Sequence, residues 1–331
     1  MILALAAIAL VLFPLPAFAD DTVHFALTDG STQRLTGEIT EYTGQGLRLR
    51  RVGGREEKID AARIIQVETT WSGAAMEAER LYAAGKADDA LPLYRKAVEE
   101  ESRRWARREL VAKLIRCYHQ LNRVSEAVQL FQALYKDDPL TPHFHVIPLA
   151  WTVAEPSASL VDQAAGWLRD TTNPVTPLLG ASWLLASGER AAASDTLRGL
   201  AASQDVRVAC LADTQLWRVS WANVDPLELD RWQAKVEQMP GPLRAGPQLV
   251  LGQALAQAGR SDTAALTWMH LPILYPGQRQ LAAQGLLEAA RQLEQAERTS
   301  QAWTLYREIV SDYHDTTAAA LAARRLEQFA Q

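Results

Sequence analysis

From Ala74 onward the chain carries apolar residues at helical spacing, with small residues returning on one face at long intervals. Ala90, Ala127, Ala193, Ala264 and Ala302 are each followed four residues later by a bulky side chain: Tyr94, Phe131, Leu197, Trp268 and Tyr306. Ala90 to Ala127 is 37 residues and Ala264 to Ala302 is 38, the period expected of a helix–turn–helix repeat. The first hairpin shows the logic. Ala74, Ala78, Leu81 and Tyr82 form one apolar stripe, and Gly85 suits a helix end. Asp88 and Asp89 open the next helix at its positive end, with Pro92 tolerated near the start. Ala90, Tyr94 and Ala97 then face back: the small residue lets two backbones approach, and the aromatic fills the space beside it.

Residues 20–70 follow a different rhythm. Val23, Phe25 and Leu27 alternate with polar or small neighbours, as do Leu35, Gly37 and Ile39, then Leu47 and Leu49. Asp29-Gly30, Gly44-Gln45-Gly46 and Gly53-Gly54 mark turns, and Ile59 and Ile64 to Val67 supply two more short runs. Five short strands joined by glycine turns predict a small barrel or rolled sheet. Arg48, Arg50, Arg51 and Arg55 cluster about one turn; Glu56, Glu57 and Asp60 beside them favour a solvated, charge-balanced face.

The repeat region resembles the tetratricopeptide repeat family. Leu81, Gly85, Ala90, Tyr94 and Ala97 match a first repeat. Tyr118, Ala127, Phe131 and Pro139 match a second, with Asn122 where glycine is usual. Leu184, Gly188, Ala193 and Leu197 match another. Gly252, Leu255, Gly259, Ala264, Trp268 and Pro276 match a late one, and Leu293, Ala302, Tyr306 and Ile309 the last. Ala164 with Leu168, and the stretch around Trp232 with Glu228 as the small-residue stand-in, complete the series as degenerate repeats. The third step is then short, Ala164 to Ala193, 29 residues. Leu321, Ala322, Leu326 and Phe329 lie on one face of a final capping helix. The N-terminal pattern is similar to small SH3-like or Sm-like barrels. The expected fold is therefore mainly α: a tetratricopeptide-like solenoid over residues 74–331, preceded by a small all-β barrel-like domain.

The remaining features bear on place and chemistry. Ile2 to Phe13 is an apolar run broken by Pro14 and Pro16, and Ala17-Phe18-Ala19 precedes Asp20-Asp21. This predicts a signal peptide over residues 1–19, a periplasmic or secreted protein, and no membrane span once the leader is cleaved. The net charge of −5 gives no global pull toward nucleic acid. Cys117 and Cys210 fall repeats apart, which predicts buried free thiols and no bridge. No metalloprotease, nucleophile-elbow or phosphate-loop motif is present. His143-Phe144-His145 lacks a nearby carboxylate or thiol to complete a metal site, so no cofactor or metal is expected.

Counting one helical turn from the packing residues puts Glu79, Arg116, His119, Trp217, Gln253 and Arg291 on the concave side, and Arg116 with His119 suits an acidic peptide. The resemblance implies a non-catalytic scaffold that binds a protein or peptide through the solenoid groove. The style of the C-terminal repeats is similar to bacterial envelope proteins. A second expectation is an accessory subunit that contacts cell-wall glycan or an envelope enzyme through the β-module.

Overall fold

The computed structural model describes residues 21–152 and 155–329. The expected leader, residues 1–19, lies outside them. The chain divides into two compact units, one up to Trp71 and one from Ser72 onward.

The first unit is an antiparallel sheet of β1 (Asp21–Ala26), β2 (Thr32–Thr43), β3 (Gly46–Arg50), β4 (Glu56–Asp60) and β5 (Ile64–Glu68), in the order β4-β3-β2-β1-β5. β5 follows β4 after a three-residue 3₁₀ turn, Ala61–Arg63, yet pairs with β1 at the other side. In a flat sheet β4 and β5 would stand four strand spacings apart, about 19 Å. Three residues in a 3₁₀ turn span well under that, roughly 8 Å, so the sheet rolls. The bend falls in β2, a twelve-residue strand rather than a short one. Its register slips between Ile39 and Glu41, and the buried Asp21 carboxylate accepts the Ile39 N–H at 2.8 Å. Val23, Phe25, Ile39, Leu47, Leu49 and Ile59 fill the interior. The arginine cluster is neutralised locally: Arg48 pairs with Glu41, Arg50 with Glu38 and Glu56, and Arg51 and Arg55 with Glu57.

The second unit contains fourteen α-helices among the described residues. Two regular hairpins come first: α1 (Gly73–Ala83) with α2 (Ala87–Glu100), and α3 (Arg104–Gln120) with α4 (Val124–Asp137). Then come α5 (Ala158–Arg169), α6 (Val175–Leu184) with α7 (Arg190–Leu200), and α8 (Val206–Ser220) with α9 (Pro226–Gln238). The array finishes with α10 (Ala245–Gln257) and α11 (Ser261–Leu274), α12 (Arg279–Gln295) and α13 (Thr299–Asp312), and α14 (Thr317–Phe329).

Ala90, Ala127, Ala164, Ala193, Ala264 and Ala302 are all wholly buried, as the packing logic requires. Four of the first helices end identically. Gly85, Asn122, Gly259 and Glu297 have φ of 72, 56, 75 and 60°, and the following N–H reaches back to Leu81, Tyr118, Leu255 or Leu293 at 2.8–2.9 Å. This is the left-handed closure that satisfies last-turn carbonyls. Gly188 has no such role; α6 leads into α7 without a left-handed residue.

The two degenerate repeats have distinct causes. α5 lacks a preceding partner helix because Pro139, Pro142 and Pro148 interrupt the segment where one would form. Among its described residues that segment holds only the 3₁₀ turn Phe144–Val146 and then runs without helix to Thr152. The third step is short because the intervening α6 has only ten residues, and α6 packs closely on α5: a Cβ on Gly180 would lie 2.4 Å from the Leu168 nitrogen and 2.6 Å from the Ala164 carbonyl oxygen. Both obstacles are backbone, so Gly180→Ala should destabilise the helical unit by about 1–3 kcal/mol. Chemical denaturation followed by circular dichroism measures it, and an unchanged midpoint would contradict the contact.

In the other degenerate repeat Glu228 is not the small-residue stand-in. It sits in the first turn of α9, part-exposed, accepting the Trp232 Nε1–H at 3.1 Å and pairing with Arg231. The buried stripe is Leu229, Trp232 and Val236. With no small residue at the crossing, the space between α8 and α9 is occupied by Trp217 and Trp232, stacked at 4.3 Å with planes 5° apart.

α14 covers the end of the array, burying Ala318, Ala319 and Ala322 against α12 and α13. Cys117 and Cys210 are buried free thiols, and burial pushes them up to about 12 and about 11.

Candidate functional site: a cavity closed by a seam between the first and last hairpins

The extended segment after α4 is held by side chains from α6 and α8. Ala150 N–H donates to Ser182 Oγ at 2.9 Å, and its carbonyl accepts from Gln215 Nε2 at 3.0 Å. Arg218 donates to the Thr152 carbonyl at 3.0 Å and to the Ser182 carbonyl at 2.8 Å. Trp183 Nε1–H donates to the Pro148 carbonyl at 2.9 Å. Backbone groups that a helix would have paired internally are thus satisfied from outside.

The array also closes on itself. Tyr82 Oη in α1 donates to the Gly277 carbonyl at 3.3 Å, just before α12. Arg279, in the first turn of α12, reaches the Ala83 carbonyl at 3.1 Å and the Asp312 carbonyl at 2.7 Å. It also grips Asp315 through Nε at 3.1 Å and Nη2 at 2.5 Å. Gln120, at the end of α3, donates to the other Asp315 oxygen at 2.8 Å. Arg279 and Asp315 are buried at this seam, with side chains only 7% and 12% exposed.

The inner faces then border a cavity of about 770 Å³, partly open to solvent. Tyr82, Arg116, His119 and Gln120 line one side, the segment from His145 to Thr152 another, and Trp183 and Leu211 a third. Residues around Leu243 to Gly246 and from Leu274 to Gln284 complete it. Arg116 lies over the Tyr82 ring at 5.6 Å from its centroid. His119 meets Trp183 edge-on at 6.2 Å. Trp151 lies against α10 where Gly246 leaves room: a Cβ there would fall 2.0 Å from the indole.

Of the six residues expected on the concave side, Arg116 and His119 line this cavity. Glu79 is beside it, bound by Lys113 at 2.9 Å and the Tyr94 hydroxyl at 2.9 Å, with Arg116 at 3.9 Å. Burial opposes ionisation of Glu79, but Lys113, Arg116 and Tyr94 outweigh it and hold its carboxyl below the usual range. Trp217 is a core residue, 3% exposed in its stack with Trp232. Gln253 is half-buried on α10, away from the cavity lining. Arg291 pairs with Glu288 at 3.4 Å and borders a second depression of about 510 Å³ beside α14. The lining from Trp151, Trp183, Tyr275 and Arg279 was not foreseen. The one sequence signal for it was the proline-interrupted stretch from Pro139 to Pro148, where a first helix should have been.

The histidines here are proton-poor. Burial pushes His119 and His145 down to about 4, with Arg116 adding to the effect on His145. Burial, then His145 and nearby cations, lowers His143 to about 3. Neutral imidazole suits metal ligation, but among the described residues no group of three or more His, Cys, Asp or Glu is placed to hold an ion. No helix among them is long and apolar enough to cross a membrane.

Residues 81–145 match the family model of the tetratricopeptide repeat. The matched span runs from the last turns of α1 through α4 to the 3₁₀ turn where the regular pattern ends. Together with the recurring hairpins beyond it, the match supports the tetratricopeptide repeat family, whose members generally mediate protein–protein interaction and are typically non-catalytic. No curated protein and no solved structure matches the chain.

Proposed function

We propose that this protein is a non-catalytic scaffold of the cell envelope that binds a protein partner through the surface of its helical array. The leader-like sequence of residues 1–19 motivates the export part of this reading. A mature N-terminus at Asp20 in the periplasmic fraction, read by mass spectrometry, is the expected result. An intact Met1 in the cytoplasm would overturn it.

The groove expected from the repeats is bridged at the seam. A helix with its side chains is about 10–12 Å across, so about two turns of one would fill a volume of 770 Å³. The outer face of α11 is therefore the better protein-binding surface, and it carries the proposal. α11 is mostly apolar from Ala264 to Leu274, a composition that favours burial, with Asp262 and His270 exposed among the apolar positions. Yet Leu266 and Ile273, seven residues apart on one face, are each 66% exposed, with half-buried Met269 between them. On α13 the exposed Trp303 has Arg307 over its ring at 4.8 Å, so that outer face is more polar than the one on α11.

The full chain immobilised against envelope extract should capture a partner, and the double variant Leu266→Arg, Ile273→Arg should lose it by tenfold or more with an unchanged helical spectrum. Equal capture by the double variant would remove α11 from the reading. The rolled N-terminal sheet, with its long bent second strand, supports the likeness to SH3-like and Sm-like barrels as an accessory module.

A further inference from the structure

We propose that the cavity behind the seam is a binding site for a small amphiphilic acid: one carboxylate, held by Arg116, on an apolar body. Three observations carry this. The first is charge. Arg116 and Arg279 line the cavity together with the neutral imidazoles of His119 and His145, and among the described residues no Asp or Glu does, in a chain whose net charge is −5. Arg279 is already committed to Asp315. Arg116 is not comparably matched: Glu79 stands 3.9 Å away and is itself held by Lys113 and Tyr94 at 2.9 Å. A guanidinium in partly desolvated surroundings with a weakly engaged fork is suited to a planar carboxylate, which it can bind through two parallel N–H donors.

The second is an extensive apolar lining beside the arginine. Arg116 stands at the seam with Tyr82 and Gly277; a Cβ on Gly277 would lie 2.8 Å from its Nη1. Gln120 and Gln280 are joined there too, by a bond of 3.5 Å. The same lining carries Ile147, Leu149, Trp151, Trp183, Leu211 and Leu243, with His119 edge-on to Trp183. An acid with a hydrocarbon or aromatic body places its charge at the first group and its apolar surface against the second. The third is size: about 770 Å³ falls within the range of small-ligand sites, roughly 300–1,000 Å³. This proposal does not depend on the scaffold reading, because it uses none of the α11 surface.

The test is titration calorimetry of the full chain with dodecanoate, dodecanol and an end-blocked hexapeptide of alternating leucine and alanine. Dodecanoate should bind, and dodecanol should bind at least tenfold more weakly. Arg116→Gln should weaken dodecanoate by about tenfold or more and leave dodecanol unchanged. Gln284→Trp places a large side chain into the cavity from a part-exposed position on α12, and should abolish binding of both with the helical spectrum intact. It serves as the control if Arg116→Gln fails to fold. Equal affinity for the acid and the alcohol, no binding of either to the folded chain, or binding of the hexapeptide without dodecanoate would each overturn the proposal. Loss of partner capture on changing α11, with dodecanoate binding retained, separates this site from the scaffold surface.

Discussion

Replacing Asp315 with alanine should destabilise the helical unit by about 3–5 kcal/mol, the cost of leaving one member of a buried ion pair without its counter-charge. Asp315 receives Arg279 through two nitrogens and Gln120 through a third donor. With the carboxylate gone, the buried guanidinium keeps only the Ala83 and Asp312 carbonyls and the face of Tyr313, 5.2 Å away. The cost falls on the contact between the first and last hairpins, so the variant should also expand. Small-angle scattering should give a larger radius of gyration, and amides near Ala83 and Gln120 should exchange faster. Replacing both partners, Arg279→Met with Asp315→Ala, removes the orphaned charge and should recover part of the loss. A single variant within about 1 kcal/mol of the parent, unchanged in size, would show that the seam does not hold the array closed.

Acidification should weaken the fold well before its carboxylates titrate. His119, His143 and His145 lie at about 4, about 3 and about 4 against an ordinary 6.5. Between these limits the unfolded chain takes up protons that the folded chain refuses, so stability is greatest above about pH 6.5 and falls as the pH drops toward 4. At pH 5 the loss is roughly 1–2 kcal/mol per histidine, several kcal/mol together. Below that, Glu79 and Asp205, whose partners hold them low, add losses of their own; Glu109, raised by burial, works in the opposite direction. Denaturation midpoints from pH 7.5 to 4.5 measure the slope, and His119→Gln should remove about a third of the loss between pH 7 and pH 5. An identical slope in that variant would mean that His119 is protonated in the fold.

Local rules made most of the architecture legible. Each alanine-plus-bulky pair reports a helix crossing that depends on residues a few positions apart, and every alanine among them is buried. The turns after α1, α3 and α10 were legible for the same reason. The turn after α12 was not, because Glu297 adopts there the left-handed conformation that glycine or asparagine normally signals. Glu228 was misplaced because a small-residue search has no term for a crossing filled by two stacked indoles. The concave residues were harder still. One-turn counting finds a face, but cannot tell a lining residue such as Arg116 from a packed one such as Trp217, since both lie on first helices at similar phase.

By itself the sequence determined the two-part organisation, the alternating strands before Trp71, the helical hairpins after it, the buried thiols and the charge-balanced arginine turn. All of these follow from periodicity and from neighbours close in the chain. Only the tertiary structure decided that the array closes. That closure rests on contacts such as Tyr82 to Gly277 and Gln120 to Asp315, each across 195 residues. Whether such groups meet is the sum of small rotations at every hairpin between them, including the missing helix before α5 and the widened crossing at Trp217. No local pattern encodes that sum, and it is what turns an expected open groove into a cavity with Arg116 at its seam.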